Sequence, residues 1–428
     1  MNRLLFVLLL FPVLALAKGK PDTLWTRTIS RSEIAKAIQT WEIQQGEGFA
    51  RLDSFSEGSI CLDPSAIRTT ADGGFIVAGT FGCVYNVSQT AFVLKTDETG
   101  ESQWRKFFRR GSRSEAEDVW PTKDGGCLVS ATIQSLGEGL SQVWILRLDA
   151  SGDTLWTRMY RVHHYNTAGP IRDTPDGGCL VLLRTAVNPD NGPAYFHIVK
   201  LDSAGTPLWG RSYGETQLGA DAGYTIDAEM TEDFGIIFAG TTGQSNAQGL
   251  SVVRTDSLGI IVWNKHFADW NFVADLAPAA NGDYMILGRA SLMRLTANGD
   301  SLWSRSFENL GDSEIRSCIE LPDKDIAFTG QHPQEYNVDD GYWVEVLSTK
   351  GQPRRSIIMA NEPLSSELEN KQAREGIAMT LAPDGGLVIA GRTWPDGPMM
   401  YDNVEFPIIC HRPTDLFLVK FRPRLGRK

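Results

Sequence analysis

Asp22-Thr23-Leu24-Trp25-Thr26-Arg27 stands near the N-terminus, and the same six residues return as Asp153-Thr154-Leu155-Trp156-Thr157-Arg158. The second copy belongs to a unit that recurs seven times, whereas the first is attached to no unit. A lone edge strand ahead of a repeat array is what a circular array needs to close on itself, because closure protects edges that an open array leaves exposed.

The seven units share a tight turn followed by a short apolar run. These are Asp72–Gly79, Asp124–Ala131, Asp176–Leu183, Asp233–Gly240, Gly282–Gly288, Lys324–Gly330 and Asp384–Gly391. Asp-Gly-Gly supplies the positive φ that tight hairpins require. The turns recur every 42 to 61 residues, the spacing of propeller blades rather than of helical solenoids. A second hairpin follows in most units, with the pattern Asp97-x-x-Gly100-x-x-x-Trp104. It returns at Asp149, Gly152 and Trp156, then at Asp202, Gly205 and Trp209, and at Asp256, Gly259 and Trp263. The fifth unit keeps Gly299 and Trp303, and the sixth keeps Gly351 with Arg354 in the place of Trp. Asp opening such a loop caps it through its side chain; the alternating ligands of a calcium loop are missing.

The expected fold is therefore all-β, a seven-bladed β-propeller of four-stranded blades closed by residues 22–29 as the last strand of the seventh blade. The blades fall at about 61–108, 115–160, 166–213, 221–267, 270–307, 314–358 and 373–421, with an insertion over 30–60. Ser32–Gln45 has the spacing of a short helix, with Ser32 as its cap. Trp at one place on nearly every outer strand reads as packing between blades.

The chain has 428 residues and a net charge of −11. That acidic balance, without a clustered Lys/Arg surface, excludes a nucleic-acid partner. Residues 1–17 read as a secretory signal peptide: Asn2-Arg3, an apolar run over Leu4–Leu14, and Ala15-Leu16-Ala17 as the cleavage site. No other stretch is long and apolar enough to span a bilayer. A single propeller domain over 18–428, monomeric and secreted or periplasmic, is the expectation.

The pattern Thr70-x-Asp72-Gly-Gly-Phe-Ile-Val-Ala-Gly-Thr80, followed by Phe92-Val-Leu-Lys-Thr-Asp97 and Trp104, resembles the propeller repeats common in secreted proteins of Bacteroidetes-like bacteria. It is also similar to delta-60 type repeats. The resemblance spans roughly residues 22–421 and implies an extracellular or cell-envelope propeller with no shared catalytic residues. The Asp-x-x-Gly-x-x-x-Trp element is similar, more distantly, to the tryptophan-docking repeats of quinoprotein dehydrogenases. This chain lacks the adjacent Cys pair that those enzymes carry over their cofactor, and no cofactor is expected.

Six Cys in an exported chain invite disulfides. Cys61 and Cys83 lie symmetrically about the Asp72-Gly73 turn and are expected to pair, while Cys127, Cys179 and Cys318 occupy apolar core positions as buried thiols. Cys410 has no evident partner.

Function is only weakly indicated. The connections of variable length gather on one face, where binding usually sits on a rigid scaffold. Two are rich in aromatic and acidic residues: one with His332, Tyr336, Asp339 and Asp340, the other with Trp394, Tyr401, Asp402 and His411. Such a patch suits a protein, peptide or carbohydrate partner. Asp118, Asp227 and Asp275 occupy one equivalent position on the inner strands and are expected to line a solvated channel, where an enzyme acting on polysaccharide or another small substrate would place acids. A quinone-dependent oxidoreductase is a third possibility. His163-His164 suggests a metal, but adjacent residues on an extended chain point apart. No catalytic motif is present, and a non-catalytic binding protein is the leading expectation. If Cys61 and Cys83 are joined, the exported chain denatured without reductant titrates fewer than six thiols; a count of six rules the bond out.

Overall fold

Gly73, Gly125, Gly177 and Gly385 adopt φ of +77 to +84°, and each reverses the chain between an inner strand and the strand that follows. Phe234 and Lys324 hold the same turn position in the left-handed region without being glycine, a conformation that costs about 1–3 kcal/mol. Asp72 accepts hydrogen bonds from Thr70 Oγ1 and from Gly74 N, which tightens the turn. Lys95 then reaches it from the third strand at 2.7 Å. Burial opposes ionisation of Asp72, but the hydrogen bonds from Lys95 and Thr70 outweigh it and hold the carboxyl at about 2. Arg147–Asp124, Lys200–Asp176, Arg254–Asp233 and Lys420–Asp384 repeat the pairing.

The structure, a computed structural model, describes residues 23–30, 32–34, 36–37, 61–82, 89–134, 140–187, 194–214, 222–242, 249–270, 272–307, 315–331, 342–359, 373–394 and 414–422. The leader sequence, most of the 30–60 insertion and both aromatic-acidic loops lie outside the described residues.

Strand β1 is Thr23–Ile29. The first meander has β2 (Cys61–Thr69), β3 (Phe75–Gly82), β4 (Gln89–Thr96) and β5 (Ser102–Phe108), and the second β6 (Arg113–Pro121), β7 (Cys127–Gln134), β8 (Ser141–Leu148) and β9 (Thr154–Tyr160). The third comprises β10 (Tyr165–Asp173), β11 (Cys179–Ala186), β12 (Ala194–Leu201) and β13 (Pro207–Tyr213). The fourth holds β14 (Ala222–Met230), β15 (Ile236–Thr242), β16 (Gly249–Thr255) and β17 (Ile261–Phe267). The fifth is β18 (Asp275–Pro278), β19 (Tyr284–Leu287), β20 (Ser291–Leu295) and β21 (Ser301–Ser306). The sixth is β22 (Ile315–Glu320), β23 (Ile326–Gln331), β24 (Tyr342–Leu347) and β25 (Pro353–Met359). Finally come β26 (Ala373–Leu381), β27 (Leu387–Trp394) and β28 (Asp415–Phe421).

Each meander is antiparallel, and a single parallel bridge, Gln89 to Arg113, joins the first two into one eight-stranded sheet. β1 pairs antiparallel with β28, so both ends of the chain share a terminal sheet ordered β1-β28-β27-β26. Every consecutive pair of units shares an apolar core. One more core joins the terminal sheet to the first meander through Ile29, Leu416, Leu62 and Phe75. Cys127, Cys179 and Cys318 are buried in these cores as free thiols, and burial pushes the Cys127 and Cys179 thiols up to about 12. Cys61 is buried too, but Cys83 and Cys410 lie outside the described residues.

Between units, the outer-strand indoles dock on the next unit's second turn. A Cβ at Gly152 would stand 2.9 Å from the Trp104 ring, and one at Gly205 would stand 2.8 Å from Trp156. Trp209 meets Gly259, Trp263 meets Gly299, and Trp303 meets Gly351 in the same way. Trp25, on β1, meets Gly100 of the first meander at 2.7 Å. Indole N–H groups complete the contact: Trp104 donates to Ala150 O at 3.0 Å and Trp156 to Ser203 O at 2.9 Å. Two residues on, a cation reaches the same turn, as in Lys106–Asp153 and Arg27–Glu101. The opening side chain caps the turn, Asp149 accepting from Ser151 N and Asp153 N and Ser348 in the sixth unit accepting from Lys350 N and Gln352 N.

Two expectations need correction. Register places Arg355, not Arg354, at the tryptophan position of the sixth unit, opposite Val346. Arg354 sits one residue earlier and pairs with Asp325 at 3.3 Å. The short helix exists at 32–34 and 36–37, but its cap is Ser30, whose Oγ accepts from Glu33 N at 3.3 Å.

Gly152→Ala therefore meets both a positive φ and the Trp104 ring, whereas a Cβ at Gly177 meets nothing nearer than Ser203 Cβ at 3.6 Å. We expect Gly177→Ala to cost about 1–3 kcal/mol from backbone strain and Gly152→Ala distinctly more, read from urea unfolding midpoints. Equal losses would discount the docking contact.

Candidate functional site at the axis

The inner strand of each unit is the edge strand of its sheet, save β6, which the single Gln89–Arg113 bridge ties to β4, and the inner strands converge on one cavity of about 310 Å³. Irregularities in register decide much of what faces it. In β2, β6, β22 and β26 the pairing skips one residue, at Ser65, Glu117, Arg316 and Ile377 respectively. A bulge leaves its extra residue unpaired and re-aims it, and all four of these residues line the cavity.

Asp118, Asp227 and Asp275 do occupy one register position, opposite Ser130, Ala239 and Leu287. They line the cavity, but a solvated channel wall is the wrong description. Each carboxyl accepts a main-chain N–H from the next unit's inner strand. Asp118 takes Ile171 N at 3.1 Å, Asp227 takes Leu276 N at 2.7 Å, and Asp275 takes Cys318 N at 2.7 Å. These edge N–H groups point away from their own sheets, and an unmet one would cost about 1–3 kcal/mol.

Asp118 also holds Arg68 at 3.1 Å and Arg172. The Arg172 side chain is 1% exposed. It bonds Asp118 in the second unit and Glu229 in the fourth, with Glu229 Oε1 at 2.7 Å and the carbonyl of Ala228 at 2.8 Å. Its guanidinium lies 4.5 Å from the centre of the Trp120 ring. On the opposite side Glu375, 1% exposed, accepts from Arg316 at 2.8 Å and Arg392 at 2.9 Å. Among the described residues, the arginines Arg68, Arg172, Arg316 and Arg392 near the axis are thus each matched by a carboxylate.

Three carboxyls are left without an arginine bond of their own. Burial pushes Asp227 well above the ordinary carboxylate range, and the neighbouring charge of Asp275 adds to it. Asp275 is raised too, chiefly by burial. Glu117 is pushed up to about 8 by burial and by the charge of Glu115, with Asp118 adding a smaller push; the bond from Thr132 at 3.1 Å works the other way. Sequence reading missed Glu117 because a bulge breaks the alternation that assigns faces. It missed Arg172 and Glu375, which are in register, because Asp118, Glu229 and Arg316, which they bond, lie on other units.

Of the loop residues, His332, Tyr336, Asp339, Asp340, Tyr401, Asp402 and His411 lie outside the described residues, and Trp394 is described only as the last residue of β27. His163 packs against Tyr195 with ring centres 5.5 Å apart, and the carbonyl of His164 accepts from Ser141 N. Among the described residues no three His, Cys, Asp or Glu side chains gather as metal ligands, and no helix is long and apolar enough to cross a membrane. A wider cleft of about 620 Å³ opens between the fifth and sixth units beside Trp303 and Lys324. There Arg294 is matched by Asp283 at 3.0 Å and Glu320 at 3.2 Å.

No protein-family model matches the chain, and no curated protein matches it in sequence. Solved structures do match. The WD40 domain of Pan2 from Neurospora crassa aligns with a TM-score of 0.50 at 10% identity, over 85% of this chain and 90% of that one. A streptogramin B lyase aligns at 0.47 and 12% identity, over 86% and 95%. Sqt1 from Chaetomium thermophilum aligns at 0.46 and 11%, over 86% and 97%. At 10% identity the likeness to the Pan2 domain is one of fold, and with the four-stranded sheets it defines the class: a β-propeller-like protein built of four-stranded repeats.

Replacing Arg172 by Met strands two buried carboxylates, and we expect a loss of about 3–5 kcal/mol, read from denaturant midpoints. Adding Asp118→Asn and Glu229→Gln should recover part of it, since the uncompensated charges are then gone. No recovery would mean that Arg172 acts through packing alone.

Proposed function

We propose that this chain is an exported, non-catalytic binding propeller: seven blades closed by the N-terminal strand, the leader over 1–17 removed, and a partner held on the face that carries the variable loops. Closure is supported by the pairing of β1 with β28 and by Trp25 against Gly100. Against catalysis stands one observation above the rest. The axial carboxyls, the acids best placed for acid–base chemistry, accept hydrogen bonds from the backbone of the neighbouring sheet. Asp118 is further held between two arginines. Their work is to hold the ring together.

What remains for function is the rim of loops on a rigid scaffold. The patch we assign contains His332, Tyr336, Asp339 and Asp340 from one loop and Trp394, Tyr401, Asp402 and His411 from the next. Its aromatic and acidic character suits a carbohydrate, a peptide or an exposed protein segment. The C61–C83 disulfide would brace the open end of the first hairpin.

Loss of activity in Asp118→Ala or Asp275→Ala would not identify an enzyme, because each substitution also removes a link between sheets. The informative comparison is a ligand panel of oligosaccharides and peptides, scored by thermal shift, on three proteins: the exported chain, a variant with residues 395–413 replaced by a short Gly-Ser linker, and Glu117→Gln. A ligand at about 100 times its Kd stabilises by about 2.7 kcal/mol. We expect the shift to survive in Glu117→Gln and vanish in the loop variant. The reverse pattern would move the site to the axis and overturn the proposal.

A further inference from the structure

Asp227 on β14 and Asp275 on β18 line one cavity, and Asp227 accepts from the N–H of Leu276, the residue after Asp275, which brings the two carboxyls within hydrogen-bonding reach. Each also carries a bond to the following unit, Asp227 to Leu276 N at 2.7 Å and Asp275 to Cys318 N at 2.7 Å. The pair is therefore a continuous link from the fourth unit through the fifth to the sixth. Two carboxylates at such range in a half-buried site repel unless a proton or a cation lies between them.

Among the described residues the surroundings supply no spare cation. From β10 comes Arg172, bonded to Asp118 and Glu229; from β2 comes Arg68, bonded to Asp118; from β22 comes Arg316, bonded to Glu375. The other titratable groups facing the pair are Glu229 on β14 itself, Glu117 and Asp118 on β6, and the Cys318 thiol on β22. All but the arginines are acids, so the pair must hold its own proton.

We propose that Asp227 and Asp275 form a proton-locked latch that ties the fourth, fifth and sixth units at the axis and loosens when the shared proton leaves. Asp227 is the donor and Asp275 the acceptor: Asp275 takes bonds from Ser317 Oγ at 3.0 Å and from Cys318 N, as a carboxylate does. When the proton goes to solvent, two carboxylates repel inside the cavity wall, and the strands they bridge are pushed apart where the inner edges meet.

The direction with pH follows. The proton is held more tightly in the folded chain than in the unfolded one, so its stabilisation is complete below the unfolded carboxyl pKa of about 4. It is lost as pH rises through the folded value. Glu117, which is independent of the pair, contributes in the same sense between about 4.5 and 8.

The test is the melting temperature against pH, from 5 to 10, for the full chain, Asp227→Asn and Glu117→Gln. Asn at 227 donates to Asp275 without needing a proton, giving up one local bond from Ala228 N. Its absolute stability falls, but its slope against pH should flatten. We expect the unmodified chain and Glu117→Gln to keep a fall of about 3 °C or more across the pair's titration, and Asp227→Asn to keep only the part that Glu117 contributes. An independent readout is the infrared C=O stretch of a protonated carboxyl at neutral pH. It should weaken in Asp227→Asn and, separately, in Glu117→Gln. A pH slope unchanged in Asp227→Asn, or a carboxyl band that the substitution leaves untouched, overturns the latch.

Discussion

An indole lying in the space that a Cβ would fill is the contact on which the arrangement of the sheets depends. Gly at the second turn does two things there. It adopts φ of +72 to +81° at the docking positions, and it leaves room for the six-membered ring of the preceding unit's tryptophan. Because the indole N–H bonds the turn backbone, the contact has direction as well as area. A slab of aliphatic side chains would let neighbouring sheets slide; an indole pinned at one edge does not. The cation two residues beyond adds a second point on the same turn, which prevents rotation about the first.

The repeat fails at one junction, and the failure is instructive. The sixth unit has Arg355 where the others have Trp, and Val346 where they have the cation that meets the turn aspartate. The unit that follows is the terminal sheet, whose last two strands come from opposite ends of the chain. No hairpin joins β28 to β1, so no turn with its glycine lies there to receive an indole. Selection for the tryptophan is absent where its receptor is absent. The converse holds on the other side: Trp25 belongs to β1, and its receptor Gly100 lies in the first complete meander.

Turns, repeats and the pairing of the two ends were legible in the sequence because they rest on local chemistry. Asp-Gly-Gly and Asp-x-x-Gly specify turns within a few residues, and a six-residue phrase repeated whole needs no alignment to be seen. The axis was legible only in part. Asp118, Asp227 and Asp275 could be aligned by counting from the turn, yet their role could not, since each acts on a strand about 43 to 53 residues further along. Glu117 and Arg316 were invisible for a different reason. They sit in register shifts, and nothing in the strand sequence announces which residue will be left over. Arg354 lies one residue short of the tryptophan position, which the ladder register gives to Arg355.

Why acids should stand at the axis at all follows from the edges. Each inner strand ends its meander, and beyond the single bridge at Arg113 of β6 its outward N–H groups have no strand to pair with. Water could meet them in an open channel, but the cavity is narrow and partly walled by Val273, Ile377 and Ala378. A carboxyl from the preceding sheet meets them instead and links the two sheets in the same bond. That solution concentrates negative charge where sheets converge, and the concentration is relieved in two ways. Asp118 and Glu229 are offset by the buried Arg172, and Glu375 by the half-buried Arg316 and Arg392. Asp227 and Asp275, with no arginine bonded to either, are offset by a proton. The second remedy is reversible under mild conditions and the first is not, so the axis is held rigidly on the flanks served by Arg172 and Arg392 and conditionally between the fourth and sixth units.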